Sequence, residues 1–177
     1  ANAAHPYFST LQPGDYTDNT TMLLATAEAI GGDSIEIDGQ GDALRGWAHS
    51  RLEDPSIARW PGPTAMHGAR RLLAGAPTAR AGSTTSRSCS ALYRILPVAL
   101  ACRPFVQGTT DDALAIVDAI CRLTHRSPES RAGCRVFALL VTDLLIGCPP
   151  DIAVDAAIAR TFGEAKTNAV ARRLRLA

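Results

Sequence analysis

Hydrophobic residues recur at three- and four-residue intervals along most of this chain, the spacing that gathers them on one face of an α-helix. Over 20–30, Leu23, Ala27 and Ile30 share a face, and Gly31-Gly32 ends the segment. A Gly- and Asp-rich stretch over 31–41 reads as a connection. A second helix follows, carrying Leu44, Trp47, Ala48 and Leu52 and stopping before Pro55. Pro61-Gly62-Pro63 breaks the chain again. Thr64 is placed to cap the next helix, with Met66, Ala69 and Leu73 along one side and Gly75 past its end.

Residues 76–90, rich in Ser, Thr, Arg and Gly, read as a long loop of the kind that is functional or mobile in compact domains. Residues 91–101 form an apolar segment that Pro97 either bends or starts. Thr110 then caps a helix whose first turn carries Asp111 and Asp112, favourable against the helix dipole. Leu114, Val117 and Cys121 form one stripe of it, with Ile116, Ile120 and Leu123 beside them. Ser127-Pro128-Glu129 opens the following helix with an N-cap and a proline at its first position, and Gly147 closes it before Pro149-Pro150. Two more helices follow over 151–162 and 166–176. There is no internal repeat and no strand-like alternation longer than 34–37. The expectation is an all-α fold, one compact multi-helix domain over 1–177 with about seven or eight helices.

Composition narrows the function. A chain of 177 residues can bury a core without disulfide or metal staples. Its 18 Lys+Arg against 17 Asp+Glu leave a net charge of +1, which argues against a nucleic-acid partner held by charge and against an acidic disordered chain. Lys166 is the only lysine, a bias in usage rather than a chemistry. The longest apolar run, 136–141, gives way to Thr142 and Asp143, far short of the roughly 20 residues of a membrane span, so no membrane partner is expected. The opening Ala1-Asn2-Ala3-Ala4-His5-Pro6 has neither the basic nor the apolar region of a leader, and it lacks an initiator Met, as a processed, trimmed or partial chain does. Cys89, Cys102, Cys121, Cys134 and Cys148 include no C-x-x-C pair, so most of them read as small buried residues of a reduced, cytoplasmic protein.

Three polar clusters could carry chemistry. Asp15-Tyr16-Thr17-Asp18-Asn19-Thr20-Thr21 stands immediately before a helix, where successive hard oxygens either cap the helix or bind Mg²⁺ or Ca²⁺. Capping is the commoner use of such residues. Leu123-Thr124-His125 lies between two helices, and its histidine can meet phosphate, act as acid or base, or bond a backbone carbonyl. The stretch 83–94 puts consecutive hydroxyls and amides ahead of a helix, with Arg87 and Arg94. It reads either as a diphosphate cradle or as a flexible surface loop. Nothing in the spacing supports Cys89 and His125 as a nucleophilic pair. His5, His49 and His67 have no metal-site companions, the latter two belonging on partly exposed helix faces.

Taken in order, these clusters resemble the ADP-ribosylglycohydrolase family. Gly14-Asp15-Tyr16-Thr17-Asp18-Asn19-Thr20-Thr21-Met22 resembles the family's G-x-[YW]-T-D-D-T-x-M metal motif. Ser88-Cys89-Ser90-Ala91-Leu92-Tyr93-Arg94-Ile95-Leu96-Pro97 resembles its G-N-G-A-L-M-R-I-x-P substrate loop, and Leu123-Thr124-His125-Arg126-Ser127-Pro128-Glu129-Ser130 its L-T-H-x-x-P-E-A element. The resemblance spans about 13–147. It implies an all-α bundle around a binuclear Mg²⁺ or Mn²⁺ centre. The activity it implies is hydrolysis of the glycosidic bond that joins ADP-ribose to a protein side chain, or to related derivatives. It implies Thr17, Asp18 and Asn19 as metal ligands, with Asp18 and Asn19 also catalytic. It implies Ser88, Cys89 and Ser90 as contacts to ADP-ribose, and His125 as a histidine near the phosphates. An ADP-ribosylated protein or small ADP-ribose derivative is the implied partner.

Three departures accompany the resemblance. Asn19 replaces a second Asp, keeping an oxygen but losing a charge. Ser88-Cys89-Ser90 replaces Gly-Asn-Gly, adding Cβ atoms where backbone approaches phosphate. The family's G-D-A-x-G segment and its D-x-D-T motif are not in the sequence, so about half a metal site is expected, and a relative that binds without turnover is the competing reading.

Overall fold

The computed structural model describes residues 12–31, 34–54, 61–102 and 110–162, and over them the protein is all-α. Its helices are α1 (Asp18–Glu28), α2 (Ile37–Glu53), α3 (Pro63–Leu73), α4 (Leu92–Ala101), α5 (Thr110–Arg122), α6 (Pro128–Leu145) and α7 (Pro150–Phe162), with a 3-10 turn at Thr78–Arg80. His5 and the helix expected over 166–176 lie outside the described residues. None of the described helices is long and apolar enough to cross a membrane.

The apolar helix α4 occupies the centre. It packs against α1, α5 and α6, while α2 lies on α1 and α3, and α7 covers the far side of α6. Ala91, Arg94, Ile95 and Val98 form its inward stripe, all buried. Pro97 neither starts nor ends this helix. It sits inside and is itself buried, so packing on three sides outweighs the one helical hydrogen bond that a proline removes. The main core also takes in Met22, Trp47, Met66, Leu72, Val117 and Ile120, and a smaller cluster around Leu139 and Ile158 joins α6 to α7.

Several helices depart from the expected bounds for identifiable reasons. Helix α2 begins at Ile37, so Asp38, Gly39 and Gly41 are helical rather than part of a connection. Its buried Gln40 donates from Nε2 to Thr26 O at 3.1 Å, anchoring that first turn on α1. A Cβ on Gly41 would stand 2.6 Å from Thr78 Cγ2, so the missing side chain admits the 3-10 turn. Over 34–37 there is no strand, only an isolated bridge between Gly31 and Ser34.

The inward side of α1 is Asp18, Met22 and Thr26 rather than Leu23, Ala27 and Ile30. Thr26 is tolerated there because its hydroxyl donates to Met22 O at 3.0 Å. In α3 the N-cap is Gly62, and Leu72 rather than Leu73 is buried. Thr64, inside the helix, bonds Ser86 Oγ at 2.8 Å instead of capping. The opening of α6 matches expectation: Ser127 accepts from Ser130 N at 3.2 Å with Pro128 next in line, and Gly147 takes φ +86° just past its end. Beyond it Leu145, Ile146 and Ile152 are left exposed at the turn into α7.

Candidate active site

The turn before α1 is built to hold polar groups at one end of the molecule. Gly14 takes φ +95°, a conformation that side chains avoid, and Asp15 Oδ2 closes the bend by accepting from Gln12 N at 2.8 Å. Thr17 stands at the N-cap position with no side-chain cap bond, so α1 does not use its hydroxyl for capping. Asp18, first in the helix and buried, accepts at Oδ2 from Gly62 N at 3.0 Å. Burial pushes its carboxyl above the usual range. The amides of Gly62, Asn19 and Asp18 itself and the charge of Arg51 pull the other way without cancelling that rise.

Arg51 is held in place for this role. Its guanidinium lies 4.7 Å from the Trp47 ring centroid, and Nη1 donates to Trp47 O at 3.0 Å. Trp47 Nε1 donates to Thr21 Oγ1 at 2.9 Å, and Thr21 Oγ1 to Asp18 O at 3.0 Å, which ties the body of α2 to the start of α1. Asn19 and Tyr93, the second residue of α4, line one hollow. Burial raises the Tyr93 phenol, Cys89 and the negative charge of Asp18 raise it further, and the Asn19 side chain opposes them.

The stretch 81–90 is not a free loop. Gly82 N donates to Arg122 O at 3.0 Å, Ser83 N to Thr124 O at 2.8 Å and Arg126 N to Ser83 O at 2.7 Å, a short parallel pairing with the 122–126 turn. Ser130 Oγ, on the first turn of α6, shares its one hydroxyl hydrogen between Ser86 O at 3.3 Å and Ser88 O at 3.1 Å. Ser90 Oγ lies 2.8 Å from Ser88 Oγ and 3.2 Å from His125 Nε2. His125 is fully buried, with Nδ1 2.8 Å from Thr124 Oγ1. Burial and then the nearby Arg94 charge hold its imidazole down to about 4, so it is neutral at pH 7. It therefore meets the 88–90 loop through Ser90, while Cys89 is exposed.

Of the expected site residues, the structure sets Asn19 beside Tyr93 of the helix that follows 88–90, and joins Ser90 to His125. Arg94 is not free to add charge to a ligand. It is fully buried, donating to Ile120 O at 3.1 Å and to Thr124 Oγ1. The exposed Arg87 pairs with Glu129 at 3.3 Å. His49 and His67 are exposed as expected, and His49 pairs with Glu53 at 3.2 Å. Sequence reasoning passed over Thr124, Ser130, Tyr93 and Gly62 as participants. For Arg94 the signal was present: positions 91, 94, 95 and 98 form a helical stripe that includes it.

Thr17, Asp18 and Asn19 offer successive hard oxygens, the donor chemistry that suits Mg²⁺ or Mn²⁺. Among the described residues no three of His, Cys, Asp and Glu converge. The donor chemistry of Thr17, Asp18 and Asn19 suits such an ion, with one Asp18 oxygen already taken by Gly62 N. Beside them, Asn19, Leu23, Tyr93, Leu96 and Phe137 line a largely apolar hollow of about 440 Å³. A family model described as ADP-ribosylglycohydrolase matches residues 2–177. No curated protein matches the chain.

Proposed function

The chain belongs to the ADP-ribosylglycohydrolase family, and from that membership we propose that it is a divalent-cation-dependent hydrolase. Its substrate is the glycosidic bond between ADP-ribose and a protein side chain or small aglycone. The observation that carries this reading is that Asn19 and Tyr93 line one hollow, which sets the oxygen-rich turn before α1 beside the start of the helix that follows 88–90. A sugar phosphate held by 88–90 would then present its ribose to Asp18 and Asn19.

Within this reading each residue has a physical task. Asp18, lifted by burial, accepts a proton from water more readily than an exposed aspartate does. Asn19 offers its carbonyl oxygen to the ribose side, and the backbone and hydroxyls of Ser88, Cys89 and Ser90 receive the diphosphate. His125 supports that loop through Ser90. Thr17, Asp18 and Asn19 would hold a Mg²⁺ or Mn²⁺ ion, which when bound supplies orientation of ribose hydroxyls and a more acidic water.

Release of free ADP-ribose from an ADP-ribosylated protein tests the proposal, run with Mg²⁺, with Mn²⁺ and with a chelator. Release that the chelator abolishes is expected. A folded protein that releases nothing under any metal condition overturns it. A second reading, ADP-ribose binding without turnover, is favoured by the prior engagement of Asp18 Oδ2 by Gly62 N. Calorimetric titration separates the two, since this reading requires micromolar-range binding with no hydrolysis.

A further inference from the structure

We propose that Arg94 and Thr124, acting through His125, set the polarity of the 88–90 loop so that Ser88 offers a hydroxyl hydrogen to an anionic oxygen of a diphosphate. The inference rests on the reading of 88–90 as the substrate loop. Its argument is a count of donors and acceptors. A guanidinium can only donate. Arg94 donates to Thr124 Oγ1, and Thr124 is fully buried, with His125 Nδ1 at 2.8 Å as its other partner. The Thr124 hydroxyl must place its own hydrogen, and His125 Nδ1 is the acceptor it faces. The opposite arrangement would bury that hydrogen without an acceptor, leaving its desolvation uncompensated.

The rest follows outward. With Nδ1 accepting, neutral His125 carries its proton on Nε2 and donates to Ser90 Oγ at 3.2 Å. Either serine could donate across the 2.8 Å between their hydroxyls, but Ser88 is exposed and can turn its hydrogen outward, whereas half-buried Ser90 has Ser88 Oγ as its remaining partner and so donates to it. Ser88 Oγ also accepts from Ser90 N at 3.1 Å, so both of its lone pairs are filled. Its hydrogen alone remains, on an exposed residue. With the other tautomer every hydroxyl would reverse, and Ser88 would keep a lone pair that welcomes a donor such as a sugar hydroxyl. A fully buried arginine thus selects an acceptor ligand for a surface serine. Arg94, Thr124 and His125 are positioning residues here, since none of them touches the ligand.

Long-range ¹H–¹⁵N correlation on the full chain with ¹⁵N-labelled histidine reads the tautomer at pH 7. The proton on Nε2 of His125 is expected, and a proton on Nδ1 overturns the proposal. Calorimetry with ADP-ribose reads its consequence. Thr124→Val should weaken binding about tenfold and disturb the tautomer, while Thr124→Ser, which restores the hydroxyl, should return both. Ser88→Ala should weaken binding by a similar factor with the tautomer unmoved, so the test survives if Thr124→Val does not fold. Affinity unchanged in Ser88→Ala overturns the proposal. An Nε2–H tautomer with tight ADP-ribose binding but no hydrolysis leaves this inference standing and removes the hydrolase reading. An Nδ1–H tautomer in an active hydrolase does the reverse.

Discussion

Asp18 is the residue at which folding and function make opposite demands. Its carboxylate is buried against Gly62 N, and its charge is disfavoured there. Asp18→Asn keeps an oxygen for that amide and removes the charge, so metal-free thermal stability at neutral pH should hold or rise while ADP-ribose release is lost. Asp18→Ala leaves the Gly62 amide without its acceptor and should cost about 1–2 kcal/mol in urea unfolding. A similar loss in Asn and Ala would show that the charge, not the acceptor, holds the turn. At this scale the sequence was readable where chemistry is local. Thr17, Asp18 and Asn19 stood out as a run of oxygens, and the structure leaves Thr17 without a cap bond. It was unreadable where a role depends on distant partners. Thr124 matters because Arg94, 30 residues earlier in the chain, donates to it, and no local pattern announces that pairing.

Helix α3, the 122–126 turn and the 82–83 segment are stacked at backbone contact. A Cβ on Gly68 would lie 2.4 Å from Leu123 O, and one on Gly82 2.4 Å from Arg122 O and 2.6 Å from Thr124 C. Gly82→Ala should therefore destabilise by about 2 kcal/mol or more in urea titration and speed amide exchange across 83–90. Gly46→Ala, with nothing within 4 Å in an exposed part of α2, should stabilise by about 0.5–1 kcal/mol. Equal effects would show that the close approach carries no weight. Helix positions were legible because apolar periodicity, prolines and terminal glycines agree over most of the chain. The start of α2 was not, because Gly39 and Gly41 are weak helix formers that packing overrides. Residues 76–90 misled for a related reason: their order comes from hydrogen bonds to residues 122–130, and composition carries no trace of it.

The molecule as a whole should lose stability on mild acidification. His125 is held at about 4 when folded and returns to about 6.5 when unfolded, so between those values the unfolded chain binds the extra proton. Its contribution is complete above about pH 6.5 and shrinks as pH falls toward 4, by up to about 3 kcal/mol. Asp118 works in the same direction at lower pH. Burial alone would raise it, but hydrogen bonds from Arg135 and Arg131 outweigh that and hold it below its usual value. Asp18, raised by burial, opposes both. Urea midpoints from pH 4.5 to 7.5 should rise with pH in the wild type and flatten in His125→Gln. A slope that survives the substitution would place the titrating group elsewhere. The all-α architecture itself was legible from periodicity, because a chain whose apolar residues recur at helical spacing throughout has only helix faces to bury.

Cys89 lies exposed between the two serines of the loop, while Cys102, Cys121 and Cys134 are buried and Cys148 is partly covered. The protein thus carries its own attachment point for a fluorophore, one residue from each hydroxyl whose occupancy matters. Maleimide labelling of unmodified protein should fall mainly on this thiol, and slower labelling in the presence of ADP-ribose would report the ligand's arrival without any engineered mutation.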